Sequence, residues 1–299
     1  MTKAQQKHFN SLYRKHVSAL RRQGKADTTI DAYSRALRRI TEFFDCPPDT
    51  LTLDHLEGYF ESLVRTRSWS TVKVDRNGLQ FFYKYVLKKE WSWVEIVRPP
   101  RVKTLPDVLT LNELERLLNG TRELSIQAFI FVCFSMGLRL GEALNLKVGD
   151  IDSERMKVHI RNAKGKKDRY VTLPKLTLQI LRNYWSTHRN PTLLFPRGRN
   201  VQEQHAATIH MNRGGVQRSF KAKVKHVGIR KAITIHTLRH CYGTLLTEAG
   251  VGLRSIQHEM GHACPKTTAL YTQLSNRTEV DTGARINTLT DKLFVLWGK

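Results

Sequence analysis

Cationic side chains stand beside glycines at several points in the second half of the chain, where they can bind phosphate. In residues 137–142 (G-L-R-L-G-E), the planar guanidinium of Arg139 can hold two phosphate oxygens at once, and Glu142, three residues on, can orient it. Residues 163–169 (A-K-G-K-K-D-R) predict a hairpin tip from which a lysine can protonate a departing alkoxide. Ordinary surface arginines and a solvated basic turn are the alternative interpretations of these two patches.

Two histidines four residues apart, His236 and His240, raise the possibility of a zinc site. A metalloprotease helix needs a glutamate directly after the first histidine, whereas Thr237 fills that position here and Arg239 would lie beside the metal. The sequence therefore predicts no metal site. Arg239 is better interpreted as a second phosphate clamp, and His236, at the predicted start of a helix, can touch the same anion that the helix N-terminus attracts.

A histidine and a tyrosine complete the candidate chemistry. In Met260-Gly261-His262 the histidine follows a glycine that ends a predicted helix, which leaves its ring nitrogens available to a partner. Tyr271 lies nine residues further on, within residues 267–272 (T-T-A-L-Y-T). Its hydroxyl is a possible nucleophile, although a tyrosine in such a helical stretch can equally be a core residue.

The excess of basic residues indicates which kind of partner the protein binds. Among 299 residues, 50 are Lys or Arg and 26 are Asp or Glu, which gives a formal net charge of +24. A charge of this size favours a polyanionic partner, nucleic acid first and an acidic membrane surface second. The longest apolar runs are far shorter than the roughly 18 residues of a membrane span, and the N-terminus lacks a signal peptide's apolar core.

The four cysteines are scattered along the chain and form no C-x-x-C pair. This pattern is typical of reduced thiols in the cytoplasm and predicts neither a disulfide framework nor a zinc site. Together with the charge, it predicts a cytoplasmic protein associated with the nucleoid.

Residues 1–97 are predicted to form a small all-α domain, because apolar residues recur there at helical spacing in four segments, and a generic helical bundle is the alternative interpretation. Residues 98–106 carry three prolines and only positive charges, which is typical of an extended linker. Residues 107–275 then predict a second domain, mostly helical, that opens with a capping box at Thr110 and Glu113. Two alternating segments around the basic tip predict a β-hairpin within it.

Residues 276–299 predict a tail helix. An apolar stripe runs along one helical face of this segment, at Ile286, Leu289, Leu293 and Leu296. A short helix cannot hold such a face in water by itself, so the tail must dock. Docking on its own domain and docking on a neighbouring protomer are both open.

Taken together, the five patches resemble the tyrosine recombinase family, the phage integrase and Xer-like group. The matching motifs are G-L-R-x-G-E, K-G-x-K-x-R-x-V-x-L, H-x-L-R-H, x-G-H and T-T-x-x-Y-T. The resemblance is strong over about residues 105–275, and residues 1–97 resemble the family's core-binding, SAM-like domain more loosely. Two departures are Met260 in place of the commoner Leu and Gly243 where the family often has Ala. Both are expected to affect packing more than chemistry.

The resemblance implies a fold and a reaction. The fold is mostly α with a small β-sheet or hairpin in the catalytic domain, arranged as a two-domain clamp on DNA. The reaction is site-specific recombination, in which strands are cut and rejoined through a 3′-phosphotyrosyl intermediate without ATP, a metal or another cofactor. The implied catalytic residues are Tyr271 as nucleophile, Lys164 as general acid, His236 as an assistant in proton transfer, and Arg139, Arg239 and His262 as stabilisers of the phosphate charge.

The resemblance also implies partners: duplex DNA with inverted-repeat core sites and a homotetramer assembled on it. It suggests DNA integration and a mobile element, and excision, resolution and transposition are equally open as the biological role. The residues expected to touch the DNA backbone are Lys166, Lys167, Arg169, Arg101 and Lys103. Two other classes remain open, a catalytically silent DNA-binding protein and a type IB topoisomerase-like enzyme that relaxes DNA. The presence of all six implied catalytic residues argues against the first, and the two-domain size with its tail argues against the second.

Overall fold

The computed structural model describes residues 1–89, 106–163, 167–262 and 264–274. It divides the chain into two compact units, Met1–Lys103 and Thr104–Lys299. Three expected features lie outside the described residues: residues 98–105 of the linker, the hairpin tip at 164–166 and the tail at 276–299. None of the helices that the structure describes combines the length and apolar character needed to cross a bilayer.

The described part of the first unit is helical. Its α-helices are α1 (Lys3–Arg22), α2 (Asp27–Phe44), α3 (Leu53–Thr66) and α4 (Trp69–Phe82), followed by a π-helical turn at Tyr83–Leu87. The side chains of Thr2, Thr52 and Ser68 cap α1, α3 and α4 by accepting backbone N–H bonds, which explains where these helices begin. Helix α2 ends before Pro47 and Pro48, since proline cannot continue a helix.

Close packing of α2 against α4 holds this unit together. Gly78 of α4 permits the approach, since a Cβ at that position would lie 3.1 Å from the Ala36 Cβ and 3.1 Å from the Tyr33 Cα. Buried Asp75 lies inside the bundle, where it pairs with Arg39 and accepts a hydrogen bond from the Tyr59 hydroxyl at 3.1 Å. Because this buried carboxylate is paired and hydrogen-bonded, its burial is compatible with a stable core.

The second unit contains ten α-helices within the described residues and one small sheet. The helices are α5 (Leu111–Asn119), α6 (Leu124–Ser135), α7 (Leu140–Leu144), α8 (Lys175–His188), α9 (Val201–Ala206), α10 (Arg213–His226), α11 (Ile235–Glu248), α12 (Leu253–Met260), α13 (Pro265–Thr268) and α14 (Leu270–Leu274). The antiparallel strands are β1 (Ile151–Asp152), β2 (Lys157–Ala163) and β3 (Lys167–Thr172), in the order β1-β2-β3. The prediction of a mostly α fold with a small sheet is confirmed.

Helix α6 is the central element of the second unit. Its sequence is apolar on nearly every side, and Phe129, Ile130 and Val132 are fully buried. A helix that is apolar all round must be surrounded by other elements, and α8 and α11 pack against it. The Phe129 ring meets Phe195 edge-on, with centroids 5.1 Å apart. Because α11 packs against α6, the predicted phosphate-binding patch around Arg239 lies close to the patch around Arg139.

Three features of this unit differ from the sequence expectation. The short strand β1 and the helix α9 were not predicted, because two and six residues are too few to show a periodicity. The helical stretch expected around Tyr271 is broken into α13 and α14 at Ala269. This break sets the position of Tyr271 at the start of a separate short helix.

Candidate active site

Arg139 occupies the junction between α6 and α7. Gly137 adopts a φ of +57°, a left-handed conformation that glycine tolerates and that reverses the chain after α6. Arg139 follows in extended conformation as the residue before α7. Its Nη1 donates to Glu142 Oε1 at 2.6 Å, and its Nη2 donates to the Gly261 carbonyl at 3.0 Å. About 24% of the side chain remains exposed, so the guanidinium can still meet an anion from solution.

Glu142 is the anchor for two arginines. Its side chain is 7% exposed and accepts bonds from Arg169 Nη1 at 3.0 Å and Nη2 at 2.9 Å, as well as from the Arg139 backbone N–H at 3.0 Å. Burial opposes ionisation, but the bonds from Arg169 and Arg139 outweigh it and hold the pKa of Glu142 at about 2. The carboxylate is therefore charged at neutral pH and fixes both guanidinium groups.

Arg169 occupies a different place from the one expected. Arg169 was expected to touch the DNA backbone, whereas its side chain is only 8% exposed. Its Nε donates to the Glu259 carbonyl at 3.1 Å, while its other nitrogens are bound to Glu142. Because these donors are satisfied inside the protein, the Arg169 guanidinium holds Glu142 in place, and Glu142 in turn holds Arg139. Arg169 has this supporting role and does not contact a phosphate.

Substituting Glu142 with glutamine is expected to destabilise the fold in a pH-dependent way. The pKa of Glu142 falls from 4.5 to about 2 on folding, so its stabilising effect is complete above pH 4.5 and disappears as the pH approaches 2. At roughly 1.4 kcal/mol per pKa unit, the loss near neutral pH is about 3 kcal/mol. Urea unfolding of both proteins over this pH range measures it, with exposed Glu115→Gln as the matched control. A Glu142→Gln deficit that stays constant down to pH 3 would contradict this ion-pair network.

Arg239 is the most deeply buried cation of the site. It lies on the first turns of α11 and is 1% exposed. Its Nη1 donates to the Gly137 carbonyl at 2.6 Å, and its Nη2 donates to the Met260 carbonyl. Burial, followed by repulsion from Arg139, lowers the pKa of Arg239 to about 10, so it stays protonated at neutral pH. Because a buried charge is costly until it is compensated, an anion bound here would stabilise the site.

Three neutral imidazoles lie beside the two arginines. His236 and His240 share one face of α11, with ring centroids 4.8 Å apart. His262 follows Gly261, whose φ of +60° ends α12, and its Nδ1 lies 2.9 Å from the Thr268 hydroxyl. Burial first, and then the nearby positive charges, lowers the pKa of all three, to about 4 for His240 and His262. Each ring is therefore uncharged at neutral pH.

Tyr271 packs inside this cluster. It is 1% exposed, its ring stacks on His262 at a centroid distance of 6.0 Å, and its hydroxyl lies 3.4 Å from His240 Nδ1. Burial raises the pKa of Tyr271 to about 12, although the charges of Arg239 and Arg139 act in the opposite direction. The hydroxyl is thus protonated at neutral pH.

The structure brings together five of the six residues to which the resemblance assigns catalytic roles: Arg139, His236, Arg239, His262 and Tyr271. Lys164, the sixth, lies outside the described residues, as do Lys166, Arg101 and Lys103. For Lys167 the backbone is described, as the start of β3, and the side chain is not.

Two residues near the tyrosine were missed as functional candidates. His240 was considered only as a zinc ligand, although its position one turn after His236 on the same helical face was a usable signal. Gly243 was expected to affect packing more than chemistry. In the structure it lies directly against the Tyr271 ring, a contact between residues 28 positions apart that no local pattern reveals.

Each of the two units matches a known protein family. The phage integrase family matches residues 107–277, and the SAM-like N-terminal domain of phage integrases matches residues 12–93. The chain is 32% identical over 272 residues to the tyrosine recombinase XerD of Listeria innocua, covering 85% of this chain and 90% of that protein. It is also 32% identical over 284 residues to an integrase/recombinase of Escherichia coli, covering 82% and 84%.

Solved structures share the fold. XerH recombinase bound to its difH substrate aligns with a TM-score of 0.63 at 22% identity, covering 85% of this chain and 78% of that one. A lambda integrase tetramer bound to a Holliday junction aligns with a TM-score of 0.69 at 16% identity, covering 88% and 76%. At these identities the structural likeness establishes the fold alone.

The fold and the clustered site define a DNA strand-exchange enzyme of the tyrosine type. The chain belongs to the phage integrase family and is a site-specific tyrosine recombinase. Since the relatives it matches are recombinases and integrases, a silent DNA-binding protein and a relaxing topoisomerase are not favoured.

Proposed function

We propose that Tyr271 is the nucleophile of this recombinase and that Arg139 and Arg239 hold the phosphate it attacks. The observation that carries the proposal is the convergence of two guanidinium groups, three neutral imidazoles and one tyrosine hydroxyl in a single buried cluster. Attack on a phosphodiester builds negative charge on the non-bridging oxygens. Preorganised cations at that position stabilise the transition state more than the ground state.

The site is preorganised by carbonyl groups at helix ends. Gly137, Met260 and Gly261 accept bonds from Arg139 or Arg239, so both guanidinium groups are oriented before DNA arrives. Within the described residues, the side chain of Arg239 donates its hydrogen bonds to carbonyl groups and not to a carboxylate. A phosphate could therefore bind Arg239 without displacing a protein carboxylate. This arrangement supports a role for Arg239 as the central phosphate ligand and for His262 as a neutral donor at its edge.

The remaining roles follow the family resemblance. Lys164 is proposed as the general acid for the leaving 5′ oxygen, because the resemblance assigns it this role and a lysine ammonium can protonate a departing alkoxide. The phosphotyrosyl bond conserves the energy of the broken phosphodiester, so resealing requires no ATP. A nicked suicide substrate tests the reaction itself, since the released strand cannot return and the wild-type protein should accumulate as a denaturant-stable DNA adduct.

We further propose that the protein acts in the nucleoid as a homotetramer on paired inverted-repeat sites and serves a mobile element. The net charge of +24 supports binding to duplex DNA. The fold shared with a lambda integrase tetramer on a Holliday junction supports the assembly. Sedimentation of the protein with paired DNA sites tests it, and a species that never exceeds two protomers would contradict it.

Binding to duplex DNA is expected to depend steeply on salt. Each phosphate neutralised by a lysine or arginine releases counterions, so log affinity should fall by about 0.9 per contact for each unit of log salt concentration. Fluorescence anisotropy of a labelled duplex, titrated across a range of salt concentrations, measures the slope. Deleting residues 1–97 should reduce the slope, since it removes the phosphate contacts of the first domain. A flat titration for the full-length protein would contradict a broad backbone interface.

A further inference from the structure

The Tyr271 ring occupies a space that exists because residue 243 is a glycine. A Cβ at Gly243 would lie 2.5 Å from Tyr271 Cε2, 2.6 Å from Cζ and 2.8 Å from Cδ2, distances that no real side chain tolerates. Gly243 lies inside helix α11, where glycine is less favourable than alanine. The helix thus carries a destabilising residue at the one position that admits the tyrosine ring.

With the Tyr271 ring packed against Gly243, the Tyr271 hydroxyl lies beside His240. Within the described residues, the hydrogen-bond partner of the Tyr271 hydroxyl is His240 Nδ1, at 3.4 Å, with ring centroids 5.9 Å apart. Catalytic hydrogen bonds are often this long before substrate binds and shorten in the complex. His236, to which the resemblance gives proton transfer, instead packs edge-on against the His240 ring.

The groups that face His240 favour its neutral form. They are His236 and Arg239 on its own helix, His262 after α12, and Tyr271 on α14. Burial, then His236 and Arg239, lowers the pKa of His240 to about 4. The imidazole is therefore uncharged at neutral pH, and in the tautomer with hydrogen on Nε2 its Nδ1 lone pair faces the tyrosine hydroxyl.

We propose that His240 is the proton acceptor for the Tyr271 hydroxyl and that Gly243 is the positioning residue that lets the ring reach it. This inference rests on the proposed function of Tyr271. As the Tyr271 oxygen bonds to phosphorus, its proton moves to His240 Nδ1. The bond from phosphorus to the 5′ oxygen breaks, and that oxygen keeps the electron pair and takes a proton from the general acid, Lys164. Resealing reverses each transfer.

DNA binding strengthens His240 as a base. Part of the effect that keeps the imidazole neutral comes from the positive charge of Arg239. A phosphodiester bound to Arg239 and Arg139 cancels much of that charge, which raises the proton affinity of His240 when the scissile phosphate is in place. His240 is therefore a stronger base when the scissile phosphate is bound than it is in the free protein.

Single-turnover cleavage of a nicked suicide substrate tests the role of His240. His240→Ala is expected to lower the cleavage rate about 100-fold near neutral pH, the usual size of a general-base effect. Its rate should rise steeply with pH, because the tyrosine must then ionise unaided, while the wild-type rate changes less. Added imidazole should restore at least a tenth of the wild-type rate. The exposed His226→Ala variant should match wild type and show no response to imidazole.

Gly243→Ala tests the positioning role. The added methyl group should displace the ring from His240 and lower the cleavage rate at least tenfold, while DNA affinity stays within twofold. Gly149→Ala is the matched control, because a Cβ there meets no atom within 4 Å. Should Gly243→Ala fail to fold, His240→Ala still decides the question, since it removes atoms and creates no clash.

The results separate this inference from the proposed function. Absence of an adduct in wild type, or an adduct that survives in Tyr271→Phe, overturns the proposed nucleophile. A wild-type adduct together with an His240→Ala rate within threefold of wild type overturns the role of His240 alone. Imidazole rescue of His236→Ala, without rescue of His240→Ala, would assign the proton transfer to His236 and overturn the inference too.

Discussion

Replacing Tyr271 with phenylalanine is expected to abolish the covalent protein–DNA adduct and to leave DNA affinity nearly unchanged. The substitution removes one oxygen, the atom proposed to bond to phosphorus, and keeps the ring that packs with Ile256 and Met260. It also removes the single hydrogen bond to His240 at 3.4 Å, which makes only a small contribution to folding. Adduct formation on a nicked suicide substrate, resolved on a denaturing gel, is the measurement.

Tyr242→Phe provides the matched control for this experiment. Tyr242 is the neighbouring tyrosine of the same pocket and packs against the Tyr271 cluster, and its hydroxyl has no proposed role in the reaction. The control should form the adduct at close to the wild-type rate. An adduct of wild-type yield from Tyr271→Phe would exclude Tyr271 as nucleophile, and loss of the adduct in both variants would point to a disturbed pocket.

Arg239→Ala is expected to reduce single-turnover cleavage by at least about 100-fold, as does the loss of one preorganised donor in other enzymes. Arg239 reaches the site from α11 as a buried cation whose fork is held by two carbonyls. Removing it takes away a cation proposed to bind the phosphate and also the hydrogen bonds to the Gly137 and Met260 carbonyls. Arg139→Ala should show a comparable loss of rate with less damage to the fold, because Arg139 is partly exposed.

Arg239→Lys separates chemistry from folding at this position. Lysine keeps the positive charge but cannot donate two parallel bonds in the fixed geometry of a guanidinium. The expected result is a cleavage rate at least tenfold below wild type, with thermal unfolding closer to wild type than that of Arg239→Ala. Arg122→Ala, at an exposed position before α6, is the matched control and should cleave within twofold of wild type. A fully active Arg239→Lys would mean that charge alone suffices.

The sequence predicted the elements well because helix signals are local. The capping threonines at Thr2, Thr52 and Thr110 act within three residues, and apolar spacing acts within one or two turns. The same locality explains the misses at β1 and α9, which are too short to carry a periodic pattern. The break at Ala269 was hidden as well, since its flanking residues are compatible with one continuous helix.

The sequence by itself determined the chemical inventory: the basic charge, the helical class and the residue types that can clamp phosphate and attack it. These follow from composition and from motifs a few residues long. Only the tertiary structure decided which groups meet. Arg139 binds a carbonyl 122 residues away, Arg239 binds one 102 residues away, and Arg169 turns inward to Glu142. Such contacts depend on how the helices pack around α6. No local pattern therefore encodes that the Tyr271 hydroxyl lies beside His240, or that the Tyr271 ring packs directly against Gly243.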